Sequence, residues 1–145
     1  MPEIVSPNEG VGDLLGYMLS AAISGVFGLE LGLFVNDITP DADTVFADLT
    51  EPSWLSYTRF TLDRDQWTTP TVAAGVATSE HGSIPRVWVN DSADTPTVFG
   101  VFYLDPTAGV IRFVQRFEPG DVREIAPGGQ VTFLPRVTLT STGLL

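Results

Sequence analysis

The spacing of apolar residues along this chain changes near Gly28, from a helical repeat to an alternation of period two. The apolar positions before Gly28 recur at helical spacing: Val11, Leu14, Leu15, Met18, Leu19 and Ala22. This spacing forms one apolar stripe, so we predict a helix from about Val11 to Ser24. The later alternation predicts strands. We therefore divide the single domain into an N-terminal arm and helix (residues 1–28) and a β region (residues 29–145).

The β region is predicted to contain about eight or nine short strands separated by frequent turns. The predicted strands are Leu29–Val35, Ser56–Asp63, the weaker Thr71–Thr78, Ile84–Asn90, Thr97–Leu104, Val110–Phe117, the short Asp121–Ile125 and Gln130–Thr140. Many short strands with regular turns are typical of an antiparallel β-sandwich, of which the jelly roll is one form. The predicted fold class is therefore mainly β, with one short N-terminal helix.

Alternation also assigns faces to these strands. Thr97–Leu104 is apolar on both faces, which predicts a central strand that is covered twice. In Val110–Phe117 the pattern turns Ile111 and Phe113 inward and Arg112 outward. The residues predicted to form the core are Leu33, Phe60, Leu62, Val87, Phe102, Phe113 and Phe133.

Charge and composition restrict the possible partners. The chain has 145 residues, no cysteine, no lysine and a net charge of -11. Such an acidic chain repels phosphate backbones and anionic lipid surfaces, so we expect neither a nucleic-acid nor a membrane partner. Without cysteine, disulfides and thiolate zinc sites are excluded. The acidic start of the chain and the short apolar window from Leu14 to Phe27 predict a soluble protein with no targeting segment.

Arginine and aromatic residues form the most informative constellation. On the predicted strands, five of the seven arginines lie on the faces turned away from their apolar neighbours: Arg59, Arg86, Arg112, Arg116 and Arg136. If these strands share a sheet, alternation places the set on its outer face. Arginine, tryptophan and tyrosine are enriched at binding hot spots, whereas an ordinary solvated face with cross-strand ion pairs is the alternative. The candidate interface residues are Tyr57, Arg59, Arg86, Trp88, Arg112, Arg116 and Arg136.

The candidate catalytic and metal-binding groups are few. His81, the single histidine, lies among polar turn formers without a nucleophile motif, so we interpret it as an exposed loop residue. The loop Asp37–Asp43 has oxygen ligands at alternate positions, as calcium requires, but Ala42 replaces the turn glycine of an EF-hand. Asp side-chain turns are the favoured interpretation of this loop, and calcium remains an alternative. The predicted function is non-enzymatic, with no cofactor and no metal.

Several segments together resemble small virion proteins of tailed phages that decorate or cement the capsid shell. The segments that carry the resemblance are Asn36–Pro40, Ala47–Pro52, Val98–Asp105, Gln115–Phe117 and Pro127–Gly129, followed by a final threonine-rich strand. The resemblance spans nearly the whole chain but includes no diagnostic motif. It implies a β-sandwich, often jelly-roll-like, which assembles as trimers on the capsid surface and stabilises the shell.

The resulting expectation is a virion structural protein at the capsid surface, with the major capsid protein as partner and a homotrimer as assembly. Two other classes of function remain open. A carbohydrate- or receptor-binding module of a phage tail or cell surface would use Trp54, Trp67 and Trp88 as stacking surfaces. A hydrolase would depend on two of the 18 acidic residues meeting in a cleft.

Overall fold

The computed structural model describes residues 4–5, 7–8, 10, 28–63, 66–82 and 84–140. The helix predicted from about Val11 to Ser24 lies outside these residues. Within them the chain is mainly β, and every strand pairing is antiparallel. The strands are β1 (Ile4–Val5), β2 (Leu29–Phe34), β3 (Phe60–Leu62), β4 (Thr71–Ala73), β5 (Val76–Glu80), β6 (Arg86–Val89), β7 (Thr97–Val98), β8 (Gly100–Asp105), β9 (Val110–Arg116), β10 (Arg123–Glu124), β11 (Gln130–Phe133) and β12 (Arg136–Thr140).

A five-stranded sheet in the order β1-β9-β8-β2-β3 forms the centre of the molecule, and three smaller sheets accompany it: β12-β5-β4, β11-β6 and β10-β7. One apolar cluster joins Leu31, Tyr103 and Phe113 of the large sheet to Trp88 and Val131 of the sheet β11-β6. The smaller sheets therefore cover one face of the large sheet. This arrangement confirms the predicted mainly β, antiparallel, sandwich-like fold.

The opposite face of the large sheet is covered by the connection between β2 and β3. Phe34, Phe102 and Val114 project from this face and pack with Phe46 and Leu49. Phe46 belongs to a single 3-10 turn, Phe46–Asp48. Strands β2, β8 and β9 are therefore buried on both faces, which explains why the sequence around β8 carries almost no polar residue.

The small sheets differ from the prediction in how the chain is divided. The run Thr71–Thr78 is a hairpin and not one strand, because Ala74 and Gly75 both have positive φ angles, 51° and 77°. Two successive residues of this kind make the tight turn that joins antiparallel strands. The run Gln130–Thr140 is likewise two strands, separated at Leu134 and Pro135. Pro135 lacks an amide donor, so it cannot continue a sheet ladder.

The faces of β6 are reversed relative to the prediction. Val87 was expected in the core, yet it is 43% exposed, whereas Trp88 is 3% exposed and packs inward. Alternation along the strand is as predicted, but the larger apolar surface of Trp88 is the one that is buried. Among the other predicted core residues, Phe60 and Phe133 are half-buried. Those that are confirmed as buried are Leu33, Leu62, Phe102 and Phe113.

A β-bulge in β9 overturns the predicted faces of that strand. Tyr103 pairs with Phe113 and Leu104 pairs with Ile111, so Arg112 has no residue opposite it. The extra residue reverses the alternation. Ile111 consequently packs with the second apolar cluster and Phe113 with the first, although the sequence pattern placed them on the same side.

Candidate functional site

The seven candidate interface residues do not share one outer face. Trp88 and Arg112 are buried, with 3% and 1% exposure, so their predicted outward orientation is wrong. The structure brings Tyr57 and Arg59 together in one network and places Arg86 beside Trp88 around Phe60. Arg116 and Arg136 lie in separate environments. The proposed interface as a continuous surface is therefore not assembled in this fold, and the surroundings of each residue show why.

Arg112 forms a buried ion pair with Asp105. Its Nη2 lies 2.7 Å from Oδ2 of Asp105, and the two side chains are 2% and 10% exposed. The other carboxylate oxygen of Asp105 accepts hydrogen bonds from the backbone amides of Thr107 and Ala108. Asp105 therefore ties the bulge in β9 to the turn of the β8–β9 hairpin, which lies between the predicted strands Thr97–Leu104 and Val110–Phe117.

Tyr57 and Arg59 belong to a half-buried network centred on Glu51. Arg59 donates to both carboxylate oxygens of Glu51 at 2.9 Å, and its Nη1 lies 3.2 Å from Oε1 of Glu30. The Tyr57 hydroxyl donates to Glu51 at 2.7 Å and accepts from the amide of Leu33 at 3.0 Å. Two-point pairing of a guanidinium with a carboxylate is the strong form of this interaction. The network holds the chain that precedes β3 against strand β2.

The same network shifts the pKa values of its members. Burial alone would raise the pKa of Glu51, but hydrogen bonds from Arg59 and Tyr57 outweigh it and hold that pKa below its usual value. Burial and the neighbouring Glu51 carboxylate raise the pKa of Tyr57 well above its usual range. Near neutral pH Glu51 is therefore a fixed anion and Tyr57 a fixed donor, so neither group is poised to exchange a proton.

Gly32 provides the space that this network needs. A Cβ atom at Gly32 would lie 2.4 Å from the ring of Phe102 and 2.8 Å from the Tyr57 hydroxyl. Any side chain would push the ring and the hydroxyl apart, and only glycine avoids the collision. The glycine in the middle of an apolar strand is thus the sequence signal that something approaches the backbone there.

Arg86 and Trp88 pack around Phe60 on the inner side of β6. The Trp88 ring lies 4.8 Å from the Phe60 ring, and the indole Nε1 donates to the carbonyl of Thr58 at 3.0 Å. The Arg86 guanidinium lies 5.8 Å from the centre of the Phe60 ring, and its Nη2 donates to Nδ1 of His81 at 3.1 Å. Trp88 Nε1 and Arg86 Nη2 are therefore both hydrogen-bonded within the chain.

His81 is buried and not exposed, contrary to the sequence-based interpretation. It is 1% exposed, its ring lies edge-on to Trp67, and its backbone amide donates to the carbonyl of Pro135. Burial and the adjacent positive charge of Arg86 lower the pKa of His81. The imidazole is therefore neutral near pH 7 and accepts a hydrogen bond from Arg86.

The remaining two candidate arginines also have partners within the chain. Arg116 Nη1 lies 2.7 Å from Asp37 and 2.8 Å from the carbonyl of Ile38, with its guanidinium over the Phe99 ring. Arg136 forms a looser pair with Glu80 at 3.8 Å. An intermolecular role for these arginines would require exchange of a partner.

The tryptophans proposed as stacking surfaces for a saccharide are mostly inaccessible. Trp54 and Trp88 are 4% and 3% exposed, and both belong to the main apolar cluster. Trp67 is half-buried between His81 and Tyr103. A saccharide therefore cannot stack on an exposed tryptophan platform in the described part of the chain.

The acidic loop Asp37–Asp43 is held by hydrogen bonds to its own Asp41 side chain. One carboxylate oxygen of Asp41 accepts hydrogen bonds from the Asp43 amide and the Thr44 hydroxyl, which confirms the predicted Asp side-chain turn. Among the described residues, no group of three or more histidine, cysteine, aspartate or glutamate side chains is placed to hold a metal ion.

The exposed apolar residues are the feature that sequence reasoning missed. Val87 and Val89 both project outward from β6, next to the exposed Thr132 and Gln130 of β11. Other exposed apolar side chains are Leu55, Val72 and Ile84. The period-two pattern in β6 correctly grouped Val87 with Val89, but the prediction assigned that side to the core. The larger apolar surface of Trp88 on the opposite side was the signal that could have identified the exposed row.

No helix in the described ranges is long and apolar enough to cross a membrane.

Comparison with known proteins does not place the chain in a family. No protein-family model and no curated protein sequence matches the chain.

Proposed function

We propose that this protein is a non-enzymatic structural subunit of a viral particle, and most specifically a decoration protein on the capsid surface. The observation that carries the proposal is the outward row formed by Val87 and Val89 on β6 of an otherwise acidic sandwich. Exposed valines beside the uncharged Gln130 and Thr132 make a small, charge-poor strip, which is the kind of surface that protein contacts bury.

The internal use of polar groups supports a structural role. Asp105, Glu51 and their arginines fasten turns and connections to the central sheet. These contacts restrict the movement of the turns and connections relative to the sheet. A subunit that strengthens a shell has to be rigid, because a partner that must first be ordered loses binding free energy.

Charge defines the chemistry of the partner. A subunit with a net charge of -11 is repelled by acidic surfaces and attracted to basic ones. The proposed docking partner is therefore a positively charged region of a major capsid protein, contacted through the Val87–Val89 strip. Self-association as a trimer on that surface is part of the proposal and follows from the resemblance of the sequence to decoration proteins.

The test is co-sedimentation of the purified protein with shells assembled from the major capsid protein of the same virus. We expect saturable binding that weakens with salt, because the attraction is partly electrostatic. The double variant Val87→Asp/Val89→Asp should lose binding, since it places two charges on the strip. The control Thr107→Asp/Ala108→Asp adds the same charge to the exposed β8–β9 turn and should bind like the wild type.

Two outcomes would contradict the proposal. Shells that fail to retain the wild-type protein at low salt would exclude decoration of that capsid. Equal loss of binding in both double variants would show that net charge alone, and not the strip, determines docking. Light scattering of the free and shell-bound protein then determines whether the trimer forms in solution or only on the particle.

A further inference from the structure

A cavity of about 370 Å³ opens beside the end of β9, between the turn that follows it and strands β10 and β11. Gln130 and Thr132, which flank the Val87–Val89 strip, line it, whereas Val87, Val89 and the residues of the buried ion pairs do not. The volume is at the small end of the range for small-molecule sites. A cavity of this size accommodates a ligand of one or two rings.

The floor of the cavity is aromatic and apolar. Phe117 and Phe133 both line it, with ring centres 6.0 Å apart and planes inclined at 34°. Val131, which is 8% exposed, and Ile125, which is 4% exposed, complete the floor. These side chains come from the ends of β9 and β11 and from the residue after β10, so the sandwich itself holds them in place.

The rim carries an arginine whose charge is available to a ligand. Arg123 lines the cavity and is exposed. Within the described residues, its guanidinium has no ion pair or hydrogen bond, whereas Arg59, Arg112 and Arg116 are each paired with a carboxylate. A guanidinium on a cavity rim offers several donors in a fixed plane.

The other rim groups decide which class of ligand fits. Glu118 and Asp121 add acceptors and negative charge, while Gln115 and Gln130 add amide groups that both donate and accept. Two carboxylates disfavour an anion, and Arg123 disfavours a cation. A neutral ligand with many hydroxyl groups and one apolar ring face matches both the mixed rim and the phenylalanine floor.

We propose that this cavity binds one unit of a neutral saccharide, with its apolar face on Phe117 and Phe133 and its hydroxyls on Arg123 and Asp121. The proposal does not rest on capsid docking, because its assigned contacts are Phe117, Phe133, Arg123 and Asp121 and not Val87 or Val89, although β11 borders both surfaces. It also differs from the tryptophan platform that the sequence led us to expect, since those rings are buried.

The test is titration of the isotope-labelled protein with D-glucose, D-galactose, D-mannose and N-acetylglucosamine, followed by amide chemical shifts. At least one sugar should shift the amides of β10 and β11 in a saturable manner. Arg123→Gln and Asp121→Asn should each weaken that binding roughly tenfold, because a hydrogen bond to a charged group is lost. Both residues are exposed, so the spectra should otherwise remain those of the folded protein.

A matched control is available on the same strand. Glu124 is exposed and follows Arg123 in β10, so its side chain points to the opposite side of the strand, away from the cavity. Glu124→Gln should bind sugar like the wild type. Benzoate, an apolar anion, should not compete with the sugar.

The remaining outcomes would overturn the proposal. Absence of shifts at β10 and β11 with all four sugars would exclude a site for these saccharides. Unchanged sugar affinity in Arg123→Gln and Asp121→Asn would exclude the assigned contacts. Saturable binding of benzoate without sugar binding would identify the cavity as an anion site instead. Each of these results leaves the decoration proposal untouched, because the assay contains no capsid.

Discussion

Two ion pairs anchored on the same five-stranded sheet have very different surroundings. Arg112 and Asp105 are 2% and 10% exposed, whereas Arg59 and Glu51 are 28% and 23% exposed. The first pair lies over a bulge in the middle of the sheet, and the second lies at its edge beside β3. Because water solvates one pair and hardly reaches the other, removing a partner should cost far more at Asp105 than at Glu51.

Replacement of Asp105 should produce the largest effect. Asp105→Ala removes the carboxylate that Arg112 contacts inside the protein, and we expect a loss of about 3–5 kcal/mol in the free energy of unfolding. The measurement is urea unfolding at neutral pH. Asp94→Ala, which removes an exposed carboxylate, serves as the control and should change stability by less than about 0.5 kcal/mol.

A second variant separates charge from turn formation at this position. Asp105→Asn keeps an oxygen that can accept from Thr107 and Ala108 but removes the charge that Arg112 faces. We expect Asp105→Asn to reduce the free energy of unfolding by most of the amount that Asp105→Ala does. If Asp105→Asn were as stable as the wild type, the turn hydrogen bonds and not the buried ion pair would be responsible.

Replacement of Glu51 should have an intermediate effect that depends on pH. Glu51→Gln weakens the bonds from Arg59 and Tyr57, so we expect a loss of about 1–3 kcal/mol near pH 7. The folded-state pKa of Glu51 is lowered, so the stability that its charge contributes is complete above the ordinary pKa of about 4.3. That contribution is lost as the pH falls from there through the lower folded-state pKa.

Urea unfolding of the wild type and Glu51→Gln at several pH values between neutral and acidic tests this directly. The difference between the two proteins should shrink in acid, because the wild-type carboxyl then also becomes neutral. A difference that stays constant over this range would show that the charge of Glu51 is not what stabilises the fold.

Replacement of Arg136 should have the smallest effect. Its guanidinium is 52% exposed and lies 3.8 Å from Glu80. We expect Arg136→Gln to change the free energy of unfolding by no more than about 0.5 kcal/mol, because exposed pairs gain little over solvation by water. The same urea assay measures it, and a loss comparable to that of Asp105→Ala would contradict the dependence on burial.

Regular alternation made part of the fold predictable. Strand β2 was predicted as Leu29–Val35 and ends at Phe34, and the hairpin turn after Asp105 lies where it was expected. Both features depend on neighbouring residues alone. Buried strands of continuous apolar residues and turns with proline and glycine have few alternative conformations.

The faces of the strands were less predictable, and the candidate site depended on them. Alternation correctly placed Val87 and Trp88 on opposite faces of β6. The sequence does not indicate which face of a two-stranded sheet packs against the core. In β9 the bulge at Arg112 placed Ile111 and Phe113 on opposite faces, and a bulge is decided by the register with β8. The interface predicted from outward arginines failed at Trp88 and Arg112 for these two reasons.

The amino-acid sequence by itself determined the fold class, the acidic charge and the position of the main hairpin, because these depend on composition and on short-range patterns. Only the tertiary structure decided that Arg112 is buried with Asp105, that His81 packs edge-on against Trp67, and that Arg123 lines the rim of a cavity. These outcomes depend on which strands become neighbours. Charges and rings distant in sequence meet only after the sheets have packed, and burial then decides what each of them can do.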